Sequence, residues 1–291
     1  MVTPSVAIVG PGRIGQALGR LLVDSGVPVG YVAARVMSRA RRAVRFIGTG
    51  KPLAVADLRP EHAAVFLVTT SDSSLASVAA HLARRGTGRT PWRGKVVLHT
   101  CGSLPSGVLG PLKPRGAAIG SLHPYQTVPS PRAGVRNLRG CFWAVEGDRE
   151  ALQVARDWVR RWEGVTFSVW PQERPLYHLS AFIVCPTVVT LMAQAASLLK
   201  QAGVPPAIAR PMLRKFVTET AKNFADLGAR GALTGPAVRG DWATIRRHLD
   251  ALRRSAPEFE PVYLSLLKAM LRLAGTEAPS RKALFSAGTT G

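Results

Sequence analysis

The spacing of apolar residues changes once along this chain. Up to about residue 170, short apolar runs alternate with helix-spaced ones; after it, only helical spacing occurs. Residues 6–9 are an unbroken apolar run, the mark of a strand buried on both faces. Ile14, Leu18, Leu21 and Leu22 then recur at helical intervals. Further strands are predicted at 27–34, 63–68, 95–99, 117–122, 142–146 and 165–169, with a weak one inside 51–60. Helices are predicted at 75–85 and 149–162. This alternation predicts an α/β domain over 1–170, built on a doubly wound sheet.

Pro171 and Pro175 bracket a linker, and the strands stop there. Helices are predicted at 176–203, 206–227, 242–255 and 257–274. Gly203 is a stop, Pro205 and Pro206 start the next element, and Pro186 should kink the first helix. An all-α domain over 176–275 follows, with 276–291, small and polar, as a flexible tail. The longest apolar stretch, 179–193, is short for a membrane span and carries Pro186; it reads as a buried helix, and no membrane association is expected.

A length of 291 residues and 46% hydrophobic content suit two domains with a sizeable core. Cys101, Cys141 and Cys185 are odd in number and lack C-x-x-C spacing. That pattern predicts neither a disulfide framework nor a metal site, and no signal pattern opens the chain, so a reducing cytoplasm is expected. The net charge of +22 comes from 39 basic against 17 acidic residues. A nucleic-acid partner is one reading. The basic residues are scattered, however, with no block of five, so an anionic cofactor and an anionic small-molecule substrate are the preferred partners.

The turn after the first strand reads Gly10-Pro11-Gly12-Arg13-Ile14-Gly15. Strand, G-x-G-x-x-G and helix, in that order, form the dinucleotide-binding fingerprint of a Rossmann-type domain. Gly10 turns the chain off the strand, Gly12 lets backbone approach a pyrophosphate, and Gly15 lets the helix pack close to the strand. The N–H groups at the start of that helix, including those of Arg13 and Ile14, face the phosphates. Where an NAD-specific domain carries Asp or Glu after the second strand, this chain has Ala34-Arg35, then Ser38 and Arg39. The guanidinium favours a 2′-phosphate, hence NADP(H), although these arginines also fit a solvated cationic helix face. Thr69, Thr70 and Ser71 end a strand predicted to lie beside the first and should border the cofactor. Ser73 and Ser74 are candidate helix caps, and Asp72 a capping carboxylate or a cofactor contact.

Hydride transfer to a C=O or C=N bond needs a proton donor and an anchor for any carboxylate. His123, placed just after a buried strand, suits either task; a turn histidine bonded to backbone is the plain alternative. Tyr177 and His178 open the interdomain helix, with His178 as candidate general acid and Tyr177 as its helper, or both as packing residues. In the loop 233–241, Thr234 and Arg239 are candidate substrate ligands, Arg239 by bidentate grip, and Asp241 should cap the next helix. Cys185, in an apolar helix, reads as a core thiol.

In this order the chain carries Gly10-x-Gly12-x-x-Gly15, Leu98-His99-Thr100-x-Gly102, Gly120-Ser121-Leu122-His123-Pro124-x-Gln126-Thr127, Gly140-x-Phe142-x-Ala144-Val145-Glu146-Gly147-Asp148, Tyr177-His178 and Leu233-Thr234-Gly235-Pro236-x-x-Arg239-Gly240-Asp241. Together they resemble the Rossmann-like oxidoreductases joined to the helical domain-of-unknown-function family 2520. More distantly, the chain resembles ketopantoate, pyrroline-5-carboxylate and prephenate-type reductases and dehydrogenases. The resemblance implies an NADP-dependent oxidoreductase with a dimer-forming helical domain. Its substrate would be a small carboxylated ketone or imine in the interdomain cleft, a 2-keto acid such as ketopantoate first. Where relatives tend to carry Ser-Asn in the interdomain helix, this chain has Cys185-Pro186. That departure leaves open a protein that binds NADP without turnover.

Overall fold

The computed structural model describes residues 5–276, so the tail from 277 onward lies outside the described residues. The chain divides into two compact units, one ending at Cys185 and one beginning at Pro186. The boundary therefore falls beyond the 171–175 linker, inside the helix predicted at 176–203, whose first part belongs to the first unit.

In the first unit, β1 (Val6–Val9) leads through the glycine turn into α1 (Arg13–Asp24). Then come β2 (Val29–Ala34), α2 (Met37–Ile47), β3 (Lys51–Ala54), β4 (Val65–Val68), α3 (Asp72–Ala83) and β5 (Val96–His99). The unit continues with β6 (Ala118–Pro124), α4 (Pro131–Asn137), β7 (Phe142–Gly147), α5 (Arg149–Arg161), β8 (Val165–Phe167) and α6 (Arg174–Val184). The eight strands form one sheet in the order β3-β2-β1-β4-β5-β6-β7-β8. All pairings are parallel except β6 with β7.

Successive residues of a strand serve opposite faces, and the core follows that rule. Val6 and Ile8 join Leu18, Leu22 and the Trp143–Trp158–Trp162 cluster on one face. Ala7 and Val9 join Phe66, Leu75 and Trp92 on the other. β1 lies between β2 and β4, so connections leave it in opposite directions and open a crevice at the strands' carboxyl ends.

Two local expectations change. His123 lies within β6, opposite Ala144 of the antiparallel β7, and not in a turn after the strand. Apolar periodicity carries no strand direction, so this pairing had no signal in the run 117–122. α3 starts at Asp72 after Ser71, whose hydroxyl lies 3.3 Å and 3.0 Å from those of Ser73 and Ser74; both of these are inside the helix and not caps. A ten-residue 3-10 helix, Ser106–Arg115, fills the β5–β6 connection and carries Pro111 and Pro114 internally.

The second unit contains α7 (Pro186–Gln201), α8 (Pro206–Ala232), α9 (Pro236–Arg239), α10 (Trp242–Ser255) and α11 (Glu260–Ala274). Its core is Ala237, Ile245, Leu249, Leu267 and Leu271. Inside α8, Gly228 takes φ +69°, which ends the regular helix one residue after the predicted stop at 227. Asp241 caps α10 as expected, accepting from the Thr244 N–H at 3.0 Å and from its hydroxyl at 2.7 Å.

The single helix predicted at 176–203 is two helices. α6 ends at Val184, and α7 begins at Pro186, which has no N–H to continue the ladder. This stretch is not buried within the chain: Leu179 is 48% exposed, Val184 61% and Val189 63%. Cys185 is exposed too, not a core thiol. By length and composition the 171–201 run could cross a membrane, with a mean hydropathy of 1.9 over its most apolar window.

Candidate active site

The glycine turn takes its shape from Thr69 and Thr70 at the end of β4. The Thr69 hydroxyl donates to the Gly10 carbonyl at 2.8 Å, and its N–H to the Val9 carbonyl, also at 2.8 Å. Gly10 has φ +78°, open to glycine and strained for other residues. A Cβ there would overlap Thr70 Cγ2, and a Cβ on Gly15 would overlap Thr69 Oγ1. Gly15 thus brings α1 against the end of β4, not only against β1. Gly12 differs, because a Cβ on it would meet nothing within 4 Å.

That open space lies at the start of α1, where Gly12 is the N-cap and offers no side chain to the first turn, and where no acidic residue stands. The first N–H groups of a helix have no partner within it, so those of Arg13, Ile14 and Gly15 are offered to an anion. The Thr70 hydroxyl is buried and without a partner among the described residues. Ser71 follows as the N-cap of α3, and Arg35 is exposed directly after β2. These residues fit a dinucleotide: backbone donors and room at the pyrophosphate, and a cation where a 2′-phosphate would lie.

A second group of side chains meets at the carboxyl ends of β5 and β6. His123 Nδ1 lies 2.7 Å from the Tyr177 hydroxyl, and the His178 ring centroid lies 6.0 Å from that of His123. Tyr177 therefore partners His123, not His178 as expected. Gly102 sits against both histidines: a Cβ there would come within 2.6 Å of His123 Nε2 and 2.7 Å of His178 Cδ2. Burial, reinforced by His178 and Arg174, pushes the His123 pKa down to about 3, so its ring is neutral at physiological pH. Burial raises the Tyr177 phenol above its ordinary value, with Arg174 opposing, so it keeps its proton.

The loop carrying Gly102 is held by residues whose part was not legible in the pattern. Arg174, fully buried at the start of α6, donates through Nε to Glu146 at 2.7 Å. Through Nη1 it donates to the carbonyls of Cys101 at 3.3 Å and Gly102 at 3.4 Å. Glu146 also accepts from the Ser106 N–H at 3.0 Å and hydroxyl at 2.7 Å. Burial works to raise the Glu146 pKa, but the bonds from Ser106 and Arg174 outweigh it and hold the carboxylate below its ordinary value. His99 ties the loop from below. Its Nδ1 accepts from the Cys101 N–H at 3.1 Å, which leaves the proton on Nε2 for the Pro105 carbonyl at 3.3 Å. Burial, then Arg174, lowers the His99 pKa to about 4. Asp72 is no helix cap; it accepts from the Ser103 hydroxyl at 2.9 Å.

Arg174 had no sequence signal, because it stands between Pro171 and Pro175 and reads as linker. A usable hint was Glu146 at the end of a buried strand, since a buried carboxylate requires a cation. Thr234 and Arg239 belong to the second unit, Thr234 just before the Gly235 cap of α9 and Arg239 at the last position of that helix.

Family models match two segments: a Rossmann-like domain over residues 2–124 and the domain of unknown function DUF2520 over residues 141–270. Among curated proteins none matches this chain. Solved structures are similar along nearly its whole length. A provisionally assigned NADP oxidoreductase from Bacteroides fragilis is 22% identical with TM-score 0.76, covering 92% of this chain and 98% of its own. A protein from Thermotoga maritima is 22% identical with TM-score 0.75, covering 93% and 100%. An imine reductase from Myxococcus stipitatus, in complex with NADP+, is 14% identical with TM-score 0.67, covering 92% and 94%. Pyrroline carboxylate reductases and a prephenate dehydrogenase also share the fold. The chain joins a Rossmann-like domain to a DUF2520 domain.

Proposed function

We propose that this protein is an NADP-dependent reductase of a small, anionic molecule carrying a C=N or C=O bond. One observation carries the reading: a glycine turn with open space at Gly12 and a hydrogen-bonded His123–Tyr177 pair beside His178 lie at the carboxyl ends of one sheet. Bound NADPH would supply a hydride to the carbon of the reducible bond. The chain's residues do the rest. The first turn of α1 would hold the pyrophosphate, and Arg35 would supply a cation for the 2′-phosphate. With Tyr177 donating to Nδ1, His123 keeps its proton on Nε2, the atom beside Gly102, and polarises the substrate oxygen or nitrogen as a neutral donor. His178, half-buried on the same edge, delivers the proton to that atom.

Imine and pyrroline carboxylate reductases among the structural neighbours favour a C=N substrate over a 2-keto acid such as ketopantoate. Thr234 and Arg239 stand as candidate carboxylate ligands. NADPH oxidation measured against a panel of cyclic imines and 2-keto acids tests the assignment. Tight NADPH binding with no turnover across the panel would favour a cofactor-binding protein, the reading that Cys185-Pro186 supports.

A second copy of this chain is the partner that best covers the exposed apolar faces. In the first unit these include Leu179, Ile183 and Val184 of α6, and in the second Ile208, Met212 and Phe216 of α8. α8 also carries Arg210, Arg214, Lys215, Lys222, Glu219 and Asp226, too many charges for a lipid-facing helix. A dimer by sedimentation without detergent supports this; a monomer that partitions into vesicles refutes it.

A further inference from the structure

The buried Arg174 does more than neutralise Glu146. One guanidinium meets a carboxylate of β7 and two successive carbonyls of the loop after β5, and those carbonyls flank the glycine wedged between two histidines. The same loop is pinned at Ser106 by Glu146, at Cys101 by His99 and at Ser103 by Asp72. A clamp of this density is more than a turn needs for stability. It fixes where Gly102 stands, and Gly102 is the spacer that sets how closely His123 and His178 approach the same point.

We propose that Arg174 is a positioning residue: by gripping the Cys101 and Gly102 carbonyls while anchored on Glu146, it sets the placement of His123 and His178 for proton delivery. The fork geometry is essential. A lysine keeps the charge beside Glu146 but cannot reach a carboxylate and two carbonyls from a planar fork. Misplacement of a catalytic group by about 1 Å is enough to cost about 100-fold in rate.

The test compares R174K with the unaltered protein by three measurements. The kinetic one rests on the reductase reading; the other two do not. R174K should fold, bind NADPH within about twofold of the parent by fluorescence titration, and lose about 100-fold in kcat with little change in the substrate KM. Long-range proton–nitrogen spectra of the histidine rings should show the His123 signals, identified by their loss in H123Q, displaced in R174K. His123 signals in R174K that coincide with the parent's would overturn the proposal whether or not a substrate is known, as would an unchanged kcat. Failure of the parent to bind NADPH would overturn the reductase reading but leave the ring spectra to decide this one. If R174K does not fold, E146Q, which keeps the shape of the anchor but removes its charge from beside Arg174, is read by the same spectra and the same kinetics, with the same two outcomes.

Discussion

The glycine turn and the Gly102 loop sit at the ends of two strands of one sheet, β1 and β5, with β4 between them, yet they are built differently. The turn from Gly10 to Gly15 works through backbone: a positive φ, an absent Cβ and free N–H groups, with Thr69 and Thr70 packed against Gly10 and Gly15. The loop from His99 to Ser106 works through side chains brought from positions 72, 146 and 174. The first arrangement rests on six consecutive residues and on Thr69 and Thr70 at the end of the adjacent strand; the second gathers side chains from three distant elements.

Separating the two regions by substitution gives the largest effect first. Gly12→Asp puts a carboxylate into the space where a Cβ meets nothing, so the fold should persist while NADPH affinity falls by at least about 100-fold in a fluorescence titration. Equal affinity would show that the turn holds no pyrophosphate. His178→Ala should do the converse, leaving NADPH affinity intact and lowering turnover by about 100-fold. Equal turnover would remove His178 from proton delivery. Arg35→Ala should narrow the preference for NADPH over NADH by about 10-fold in paired titrations, since one exposed guanidinium is lost.

The smallest effect is a pH dependence to which the two buried histidines at this loop, His99 and His123, contribute. His99 and His123 have folded-state pKa values of about 4 and about 3, below the ordinary 6.5 of an unfolded histidine. Between these limits the unfolded chain binds more protons than the folded one. Stability from both rings is therefore full above pH 6.5 and declines as pH falls through this window. Urea midpoints measured across it should fall with acidification, and His99→Gln should flatten the slope. A midpoint independent of pH there would contradict the burial of neutral rings.

What was legible in the sequence follows the same division. β1, the glycine turn and α1 could be read because apolar period and glycine spacing are local signals. So could the change from α/β to all-helical, the cap at Asp241 and a disturbance at Pro186, read as a kink where the helix breaks. The pairing of β6 with β7 could not, because apolar alternation does not encode direction. His123 and His178 could be named as candidates, but the bond from Tyr177 to His123 joins residues 54 positions apart. Arg174 looked like linker because only tertiary structure buries it. The exposed helices erred the other way: apolar composition predicts burial without saying by what.

The tryptophans are unevenly shared. Trp92, Trp143, Trp158 and Trp162 are buried in the first unit, Trp170 is exposed there, and Trp242 stands alone in the second. Indole emission will therefore follow the unfolding of the first unit, while far-ultraviolet ellipticity reports the helices of both units. Where the two curves separate on a denaturant axis, their distance measures how independently the two units melt.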